Sequence, residues 1–253
     1  MVLKSYIQDA AYFAFRRAQI KGLETDRLDC IHVSDLISPC MRNVIYSKIT
    51  PEKSSTTEDM KFLYFGQCLH ANSNMASKPE YHEMKLLYNW VTDAEQLIVM
   101  KENKWDYIAG SIDDIIEVDG ELIICDKKTT GSIDYFSPNS WNKGTPRANE
   151  GHKLQTNMYR VLLNKCKKLD AKWGCNIYID NCVSKDKKDK PSAIAYKLQD
   201  PEETLGQMVQ AAEIIKEAMT EGVLPERTKN YLCDGVCPHS TKCFTDDRKK
   251  WNE

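Results

Sequence analysis

Asp113, Asp126 and Lys128 are the residues of this chain best placed, by type and spacing, to do chemistry. They flank Asp119-Gly120, a dipeptide that favours a two-residue type I′ turn. The surrounding run from Trp105 to Thr129 alternates or stays apolar on both sides of that dipeptide. With Val118 and Glu121 paired beside the turn, each step back along one strand matches a step forward on the other, and Asp113 falls opposite Asp126. Directly opposed residues share a face, with Cβ atoms roughly 4.5–5.5 Å apart. Lys128, two residues beyond Asp126, joins that face through the strand period of two. Two carboxylates at this spacing can hold a hard divalent cation, and a neighbouring ammonium can meet an anion. Those are the parts of a metal-dependent phosphodiesterase centre. Like charges so opposed are destabilising unless something compensates. Ile115, Leu122 and Ile124 share the face and bring partial burial, which makes a bare pair costlier still. A cation together with Lys128 removes the objection. Asp114, on the other face, and Glu117, near the turn, read as solvated outward side chains.

Such a hairpin needs a frame to present it. His152 to Leu169 is an amphipathic helix, with Leu154, Met158, Val161, Leu162 and Leu169 at helical spacing. Gln155 and Tyr159, four apart, share one of its faces. Trp173 to Asp180 and Ala193 to Leu198 read as strands joined by a lysine-rich loop. Pro201 followed by two glutamates starts a further helix and Gly222 stops it, with Leu205, Met208, Val209, Ala212, Ile215 and Met219 as its buried stripe. Upstream, residues 3–20 look helical, Ser34-Asp35 can cap a short helix, and Arg42 to Lys48 continues after a break at Pro39. A longer helical pattern from Thr57 carries Phe62, Leu63, Phe65, Leu69 and His70. Tyr81 to Trp90 is another short element, and Glu95 to Lys101 a strand entering the hairpin. Residues 131–150 contain Pro138, Gly144 and Pro146 and read as a loop long enough to be functional. The order of elements gives an α/β fold with a central mixed sheet flanked by helices.

Composition narrows the partners. The 253 residues carry a formal net charge of −2, so nucleic-acid binding has to come from local patches and a metal rather than a global basic footprint. Lys165 to Lys172 is one such stretch, while Lys185 to Lys190 reads as a solvated loop tip. No run of eighteen apolar residues occurs, and the N-terminus has no unbroken apolar core, so a soluble cytoplasmic protein without membrane contact is expected. Ten cysteines are many for this length. Without a sign of secretion they point to metal or cluster ligation rather than disulfides. Cys30, Cys68, Cys125, Cys166, Cys175 and Cys182 are scattered among apolar residues as small hydrophobes. Cys233, Cys237 and Cys243 stand apart, three thiols in one short segment that needs a fourth donor, either His239 or a distant cysteine.

Five motifs in this order resemble the RecB-like branch of the PD-(D/E)XK nucleases. FGQCLH, ending at His70, resembles the family's Gly-x-x-x-His; GSID, ending at Asp113, its Gly-x-x-Asp; and DKKT, from Asp126, its Asp/Glu-x-Lys-Thr. QTNMY, Gln155 to Tyr159, resembles its Gln-x-x-x-Tyr helix, and SDLISPCMR the segment that supplies an N-terminal cysteine, here Cys40. The four-cysteine members, among them CRISPR-associated RecB-like exonucleases and viral DNA exonucleases, are the most similar. The resemblance implies a restriction-endonuclease-like core, with Asp113, Asp126, His70 and the backbone carbonyl of Lys127 binding Mg²⁺ or Mn²⁺. It implies that Lys128 orients the attacking water or stabilises the transition state, while Gln155 and Tyr159 position DNA. Cys40, Cys233, Cys237 and Cys243 would hold a structural [4Fe–4S] cluster, with Zn²⁺ as the alternative. The implied organisation is one integrated domain: residues 1–94 as a helical region contributing Cys40 and His70, 95–200 as nuclease core, and 201–253 as helix and cysteine tail. The expected activity is exonuclease action on single-stranded DNA ends, with protein partners in recombination, replication or CRISPR adaptation. A non-catalytic DNA-binding subunit, or an endonuclease trimming DNA in spacer acquisition, are the alternatives.

Overall fold

Both turn residues of the hairpin take positive φ, Asp119 at 52° and Gly120 at 79°, as a type I′ turn requires. The computed structural model describes residues 29–49, 73–130, 148–180, 192–227, 233, 237 and 239–245. Within it the turn joins β4 (Tyr107–Val118) to β5 (Glu121–Thr130), and the ladder runs from Val118↔Glu121 to Asp114↔Cys125. That register is the one expected from the sequence, and its next step sets Asp113 across from Asp126.

The hairpin lies at the middle of a seven-stranded mixed sheet of order β3-β2-β4-β5-β6-β7. The remaining strands are β2 (His82–Asn89), β3 (Ala94–Glu95), β6 (Ala171–Asp180) and β7 (Ser192–Lys197), with β1 (Ile31–His32) pairing with β4 in parallel. β5 and β6 are also parallel, and the other neighbours are antiparallel. Parallel neighbours need a crossover, supplied here by α3 (Glu150–Lys167), which packs over β2 to β6. Asn149 caps α3 by accepting from the Gly151 amide at 2.8 Å, and Lys168 ends it in the left-handed conformation. The helix α4 (Pro201–Glu221) packs on α3 and on α2 (Met41–Ile49). Its limits are those the sequence sets. Asp200 accepts from the Glu202 amide at 2.9 Å, and Gly222, at φ 71°, closes the other end. Two short helices, α1 (Val33–Leu36) and α5 (Ser240–Thr245), complete the described elements.

The main core joins Ile108, Ile112, Ile115 and Ile124 of the sheet to Met158, Leu162 and Leu163 of α3 and to Met208, Ala212 and Ile215 of α4. Gly110 lies where α3 comes nearest the sheet. A Cβ there would stand 2.8 Å from Leu162 Cδ1 and 3.1 Å from Tyr159 Cε1. The glycine of the GSID motif is therefore a packing requirement of the helix that carries Gln155 and Tyr159.

Two sequence expectations are corrected. Residues 81–90, read as a short element in a helical region, form the interior strand β2. Its burial does not alternate, and Glu83 breaks the pleat with φ 47°, so the period-two signal is lost. Of the Glu95–Lys101 region only Glu95 lies in a strand, the last residue of β3, and Lys101–Asp106 is a 3₁₀ turn. The apolar run there is exposed, Leu97 by 91%. The expected helices at 3–20 and from Thr57 lie outside the described residues.

We expect Gly110→Ala to push α3 outward and lower unfolding stability by about 1–3 kcal/mol through overpacking. Gly120→Ala has open space around it and should cost about 1–2 kcal/mol through its positive φ alone. Urea unfolding of the two variants measures both. Wild-type stability in Gly110→Ala would mean that α3 is not seated on β4 as described.

Candidate active site

The β4–β5 ladder stops at Asp114↔Cys125, and beyond it the Asp113 carboxylate takes over from the main chain. Its Oδ2 accepts the Lys127 amide at 2.6 Å, drawing the two strands together at the level of Asp126. Asp113 is 7% exposed and Asp126 2%. Asp126 is held from two sides: the Lys128 ammonium lies 2.9 Å from Oδ1, and the Asn176 amide donates to Oδ2 at 2.9 Å. Asn176 belongs to β6, in register with Asp126, and its own oxygen accepts from the Tyr196 hydroxyl at 2.7 Å.

Lys128 extends the array to α3. It donates to Gln155 Oε1 at 2.9 Å, and Gln155 Nε2 donates to the Tyr159 hydroxyl at 2.8 Å. The structure therefore brings Asp113, Asp126, Lys128, Gln155 and Tyr159 onto one face, as a line of groups from acid pair to phenol. His70 lies outside the described residues. Among the described residues no three His, Cys, Asp or Glu side chains are gathered to hold a metal ion.

The electrostatics of the face favour a cation. Burial, and secondarily the charge of Asp113, push the Asp126 carboxyl up to about 6 despite the opposing pull of Lys128 and Asn176. The Tyr159 hydroxyl is also raised, by burial first and then by Asp126, Asp113 and Glu83, so it stays protonated. A site that resists a second negative charge fits a divalent cation between its carboxylates. On donor chemistry, Asp113 and Asp126 suit Mg²⁺ or Mn²⁺, both hard ions that take oxygen ligands.

Several residues at this site were not singled out in the sequence. Asn176 comes from β6 beside β5, and Tyr196 from β7 beside β6, an order only the topology reveals. Glu83 reaches Tyr159 electrostatically from the distorted point of β2. His152, one turn before Gln155, is lowered to about 4 by burial and by Lys128, so it is a neutral imidazole at pH 7; its Nδ1 lies 3.1 Å from the Tyr178 hydroxyl. Its place one turn along the Gln155 face was the one available signal.

The expectation for Asp114 is overturned. Its side chain is fully buried, with Oδ1 2.7 Å from His82 Nδ1 and Oδ2 2.9 Å from the Lys127 ammonium. Lys127, next to Lys128 but pointing to the opposite face, neutralises it. Glu117 is exposed as expected and faces Lys78 at 3.6 Å.

The four cysteines of the tail set lie in one region but are not gathered closely enough to hold a metal ion. Cys40, Cys233, Cys237 and Cys243 are free thiols. The Cys237 thiol is raised by burial first and then by the proximity of Cys40, Cys233 and Cys243. Two arginines bind the same corner: Arg42 donates to Pro225 O at 2.7 Å, and Arg227 donates to Cys243 O at 2.7 Å. His239 contacts Ser47 and the Tyr46 ring. Cys30, Cys125 and Cys166 are buried as expected, and Cys175 is half-buried against Cys125; Cys68 and Cys182 lie outside the described residues.

Residues 44–244 match the sequence profile of the PD-(D/E)XK nuclease superfamily, and the match spans the whole acid–lysine–helix array. The chain belongs to the PD-(D/E)XK nuclease superfamily. No curated protein is similar enough in sequence to count as a relative. Among solved structures, SSO0001 is 20% identical over 92% of this chain and 95% of its own, with a TM-score of 0.50, and shares the fold. LHK-Exo in complex with dAMP is 10% identical over 77% of this chain and 93% of its own, at a TM-score of 0.40. The alkaline exonuclease LHK-Exo from Laribacter hongkongensis is 11% identical over the same shares, at 0.36. Those two are too distant in shape to bear on this nuclease's activity.

Asp126 gives the site a pH signature. A carboxyl raised from 3.8 to about 6 on folding stabilises the metal-free protein at low pH, and that contribution is lost as the pH rises through about 6. The difference amounts to about 3 kcal/mol. A cation bound to the ionised pair offsets the loss. Scanning fluorimetry should therefore show Mn²⁺ raising the melting temperature more in mildly alkaline than in mildly acidic buffer, with no response in Asp126→Asn. An equal Mn²⁺ response in both buffers would contradict this electrostatic account.

Proposed function

We propose that this nuclease is a divalent-metal-dependent exonuclease that hydrolyses phosphodiester bonds at single-stranded DNA ends. The observation that carries the reading is the shared face of Asp113 and Asp126, continued through Lys128 to Gln155 and Tyr159. Asp113 and Asp126 would hold Mg²⁺ or Mn²⁺, joined by the Lys127 carbonyl and by His70. The metal, when bound, would acidify a water and offset charge on the scissile phosphate. Lys128, fixed between Asp126 and Gln155, presents its ammonium where charge develops on the phosphoryl oxygens. Gln155 and a protonated Tyr159 supply hydrogen-bond donors to a phosphate beside it. The neutral His152 adds no charge that would compete with Lys128. The resemblance of the motif order to RecB-like enzymes supports end-directed action on single strands. The presence of both acids and the lysine weighs against a purely DNA-binding role.

A [4Fe–4S] cluster on Cys40, Cys233, Cys237 and Cys243 belongs to the same reading. The electrostatic reach of Cys40, Cys233 and Cys243 to the Cys237 thiol supports it, and Arg42 and Arg227 lend positive charge nearby. Such a cluster would tie α2 to the C-terminal tail and has no part in the hydrolysis.

Linear end-labelled and circular single-stranded DNA, each incubated with the protein and Mn²⁺, test the activity. Loss of the linear form alone is expected. Cutting of the circle would make the enzyme an endonuclease, and no cutting of either would leave a binding protein. Asp113→Ala should abolish cleavage, and Lys128→Ala should slow it by roughly 10²–10³-fold, both with the fold retained by circular dichroism.

The cluster has its own test. Protein purified without oxygen should be brown, contain iron and sulfide in equal amounts, and lose both in Cys237→Ala. A colourless protein carrying zinc would transfer the four thiols to the alternative metal.

A further inference from the structure

We propose that Lys127 is a positioning residue, whose side chain is anchored behind the sheet so that its peptide is held in place for the carboxylate pair in front. The proposal rests on the metal-dependent reading above and adds to it a second set of residues, Lys127, Asp114, His82 and Ser73.

The anchor begins where β5 loses its partner on the β4 side. The ladder to β4 ends at Cys125, so Asp126 and Lys127 have main-chain pairing only with Asn176 and Ile177 of β6. Two side-chain contacts replace the missing rungs. In front, the Lys127 amide donates to Asp113 Oδ2 at 2.6 Å. Behind, the Lys127 ammonium lies 2.9 Å from Asp114 Oδ2 in an ion-pair contact, and it donates to the carbonyl and, at 3.3 Å, the hydroxyl of Ser73. His82 Nδ1 holds the other oxygen of Asp114 at 2.7 Å. Adjacent residues 113 and 114 thus grip the same residue of β5, one by its backbone and the other by its side chain.

The position of this pair separates it from an ordinary surface salt bridge. The side chains of Lys127 and Asp114 are 1% and 0% exposed. A buried ion pair is generally no more stabilising than apolar residues of the same volume. The hydrogen bonds of the Lys127 ammonium to Ser73 and of His82 to the other Asp114 oxygen, however, fix an orientation that an apolar pair would leave loose. Here the orientation is that of the Lys127 main chain, whose amide belongs to the peptide with Asp126 and whose carbonyl to the peptide with Lys128, so it bears on where the Asp126 side chain and the Lys127 carbonyl point. Partners that orient metal ligands without touching the metal commonly change metal affinity by about 10–100-fold when removed.

The test removes both charges together, so that neither is left buried alone. The full-length Lys127→Met/Asp114→Leu protein is compared with wild type by melting temperature in EDTA, by Mn²⁺ titration calorimetry, and by kcat and KM on labelled single-stranded DNA. We expect a folded protein whose Mn²⁺ dissociation constant rises about tenfold or more, with kcat falling and KM for DNA little changed. A folded double variant with wild-type Mn²⁺ affinity and kcat would reduce the pair to core filling and overturn the proposal. Should that variant not fold, Asp114→Asn keeps the shape and an acceptor oxygen and carries the same expectation, with unchanged Mn²⁺ affinity as the overturning result. Wild-type protein that takes up no Mn²⁺ would instead remove the metal-dependent reading itself, and the positioning role with it.

Discussion

Two carboxylates set face to face across a β-ladder repel each other, and much of the described structure around β5 serves to hold them there. The repulsion cannot be relieved by moving apart, because the type I′ turn at Asp119-Gly120 fixes the register five pairs away. Nor can water relieve it, since α3 lies over the face and leaves Asp126 2% exposed. What remains is local compensation: an amide for Asp113, an ammonium and a carboxamide for Asp126. These three contacts do not fully neutralise the pair, as the raised Asp126 carboxyl shows. A native state left with such a deficit is arranged for something positive to arrive.

The hairpin is unusual in carrying charge on both faces. In most half-buried strands one face packs and the other is solvated. Here Asp113, Asp126 and Lys128 serve the α3 side, while Asp114 and Lys127 are sealed on the reverse. The two sets are interleaved along the chain, so a register slip of one residue would exchange them. It would also bury Lys127 against Gln155 and turn Lys128 toward Ser73. Each set thereby disfavours the wrong pairing of the other, a second source of register specificity beside the turn.

The parts of this arrangement that were legible in the sequence are those set by neighbours along the chain. The Asp-Gly turn, the strand parity that aligns Asp113, Asp126 and Lys128, the four-residue spacing of Gln155 and Tyr159, and the Asp200-Pro201 and Gly222 ends of α4 all follow from local rules. The burial of Asp114 did not, because one strand's pattern cannot show that Lys127 on the next strand supplies its counter-charge. Asn176 and Tyr196 were equally hidden, since the Asn176–Asp126 bond depends on β6 crossing over to lie parallel to β5, and the Tyr196–Asn176 bond on β7 pairing with β6. Strand β2 escaped notice for a different reason. The left-handed Glu83 interrupts its alternation at the point where it passes the acid pair, and a strained residue at a working site erases the periodicity that would have revealed it.

Distance along the chain also explains why Arg42 went unread. Its guanidinium, 3% exposed, reaches from α2 to carbonyls at Pro225 and Cys243, 183 and 201 residues away in sequence. An arginine so placed satisfies one backbone acceptor just beyond the end of α4 and another within α5. The Cys243 thiol lies at the same junction, 4.0 Å from the Arg42 guanidinium. The corner is built on α2, which packs against α4, and α4 in turn packs against α3. A change in how the tail is seated therefore has a packed route to the helix bearing Gln155 and Tyr159, through contacts between helices rather than through the sheet.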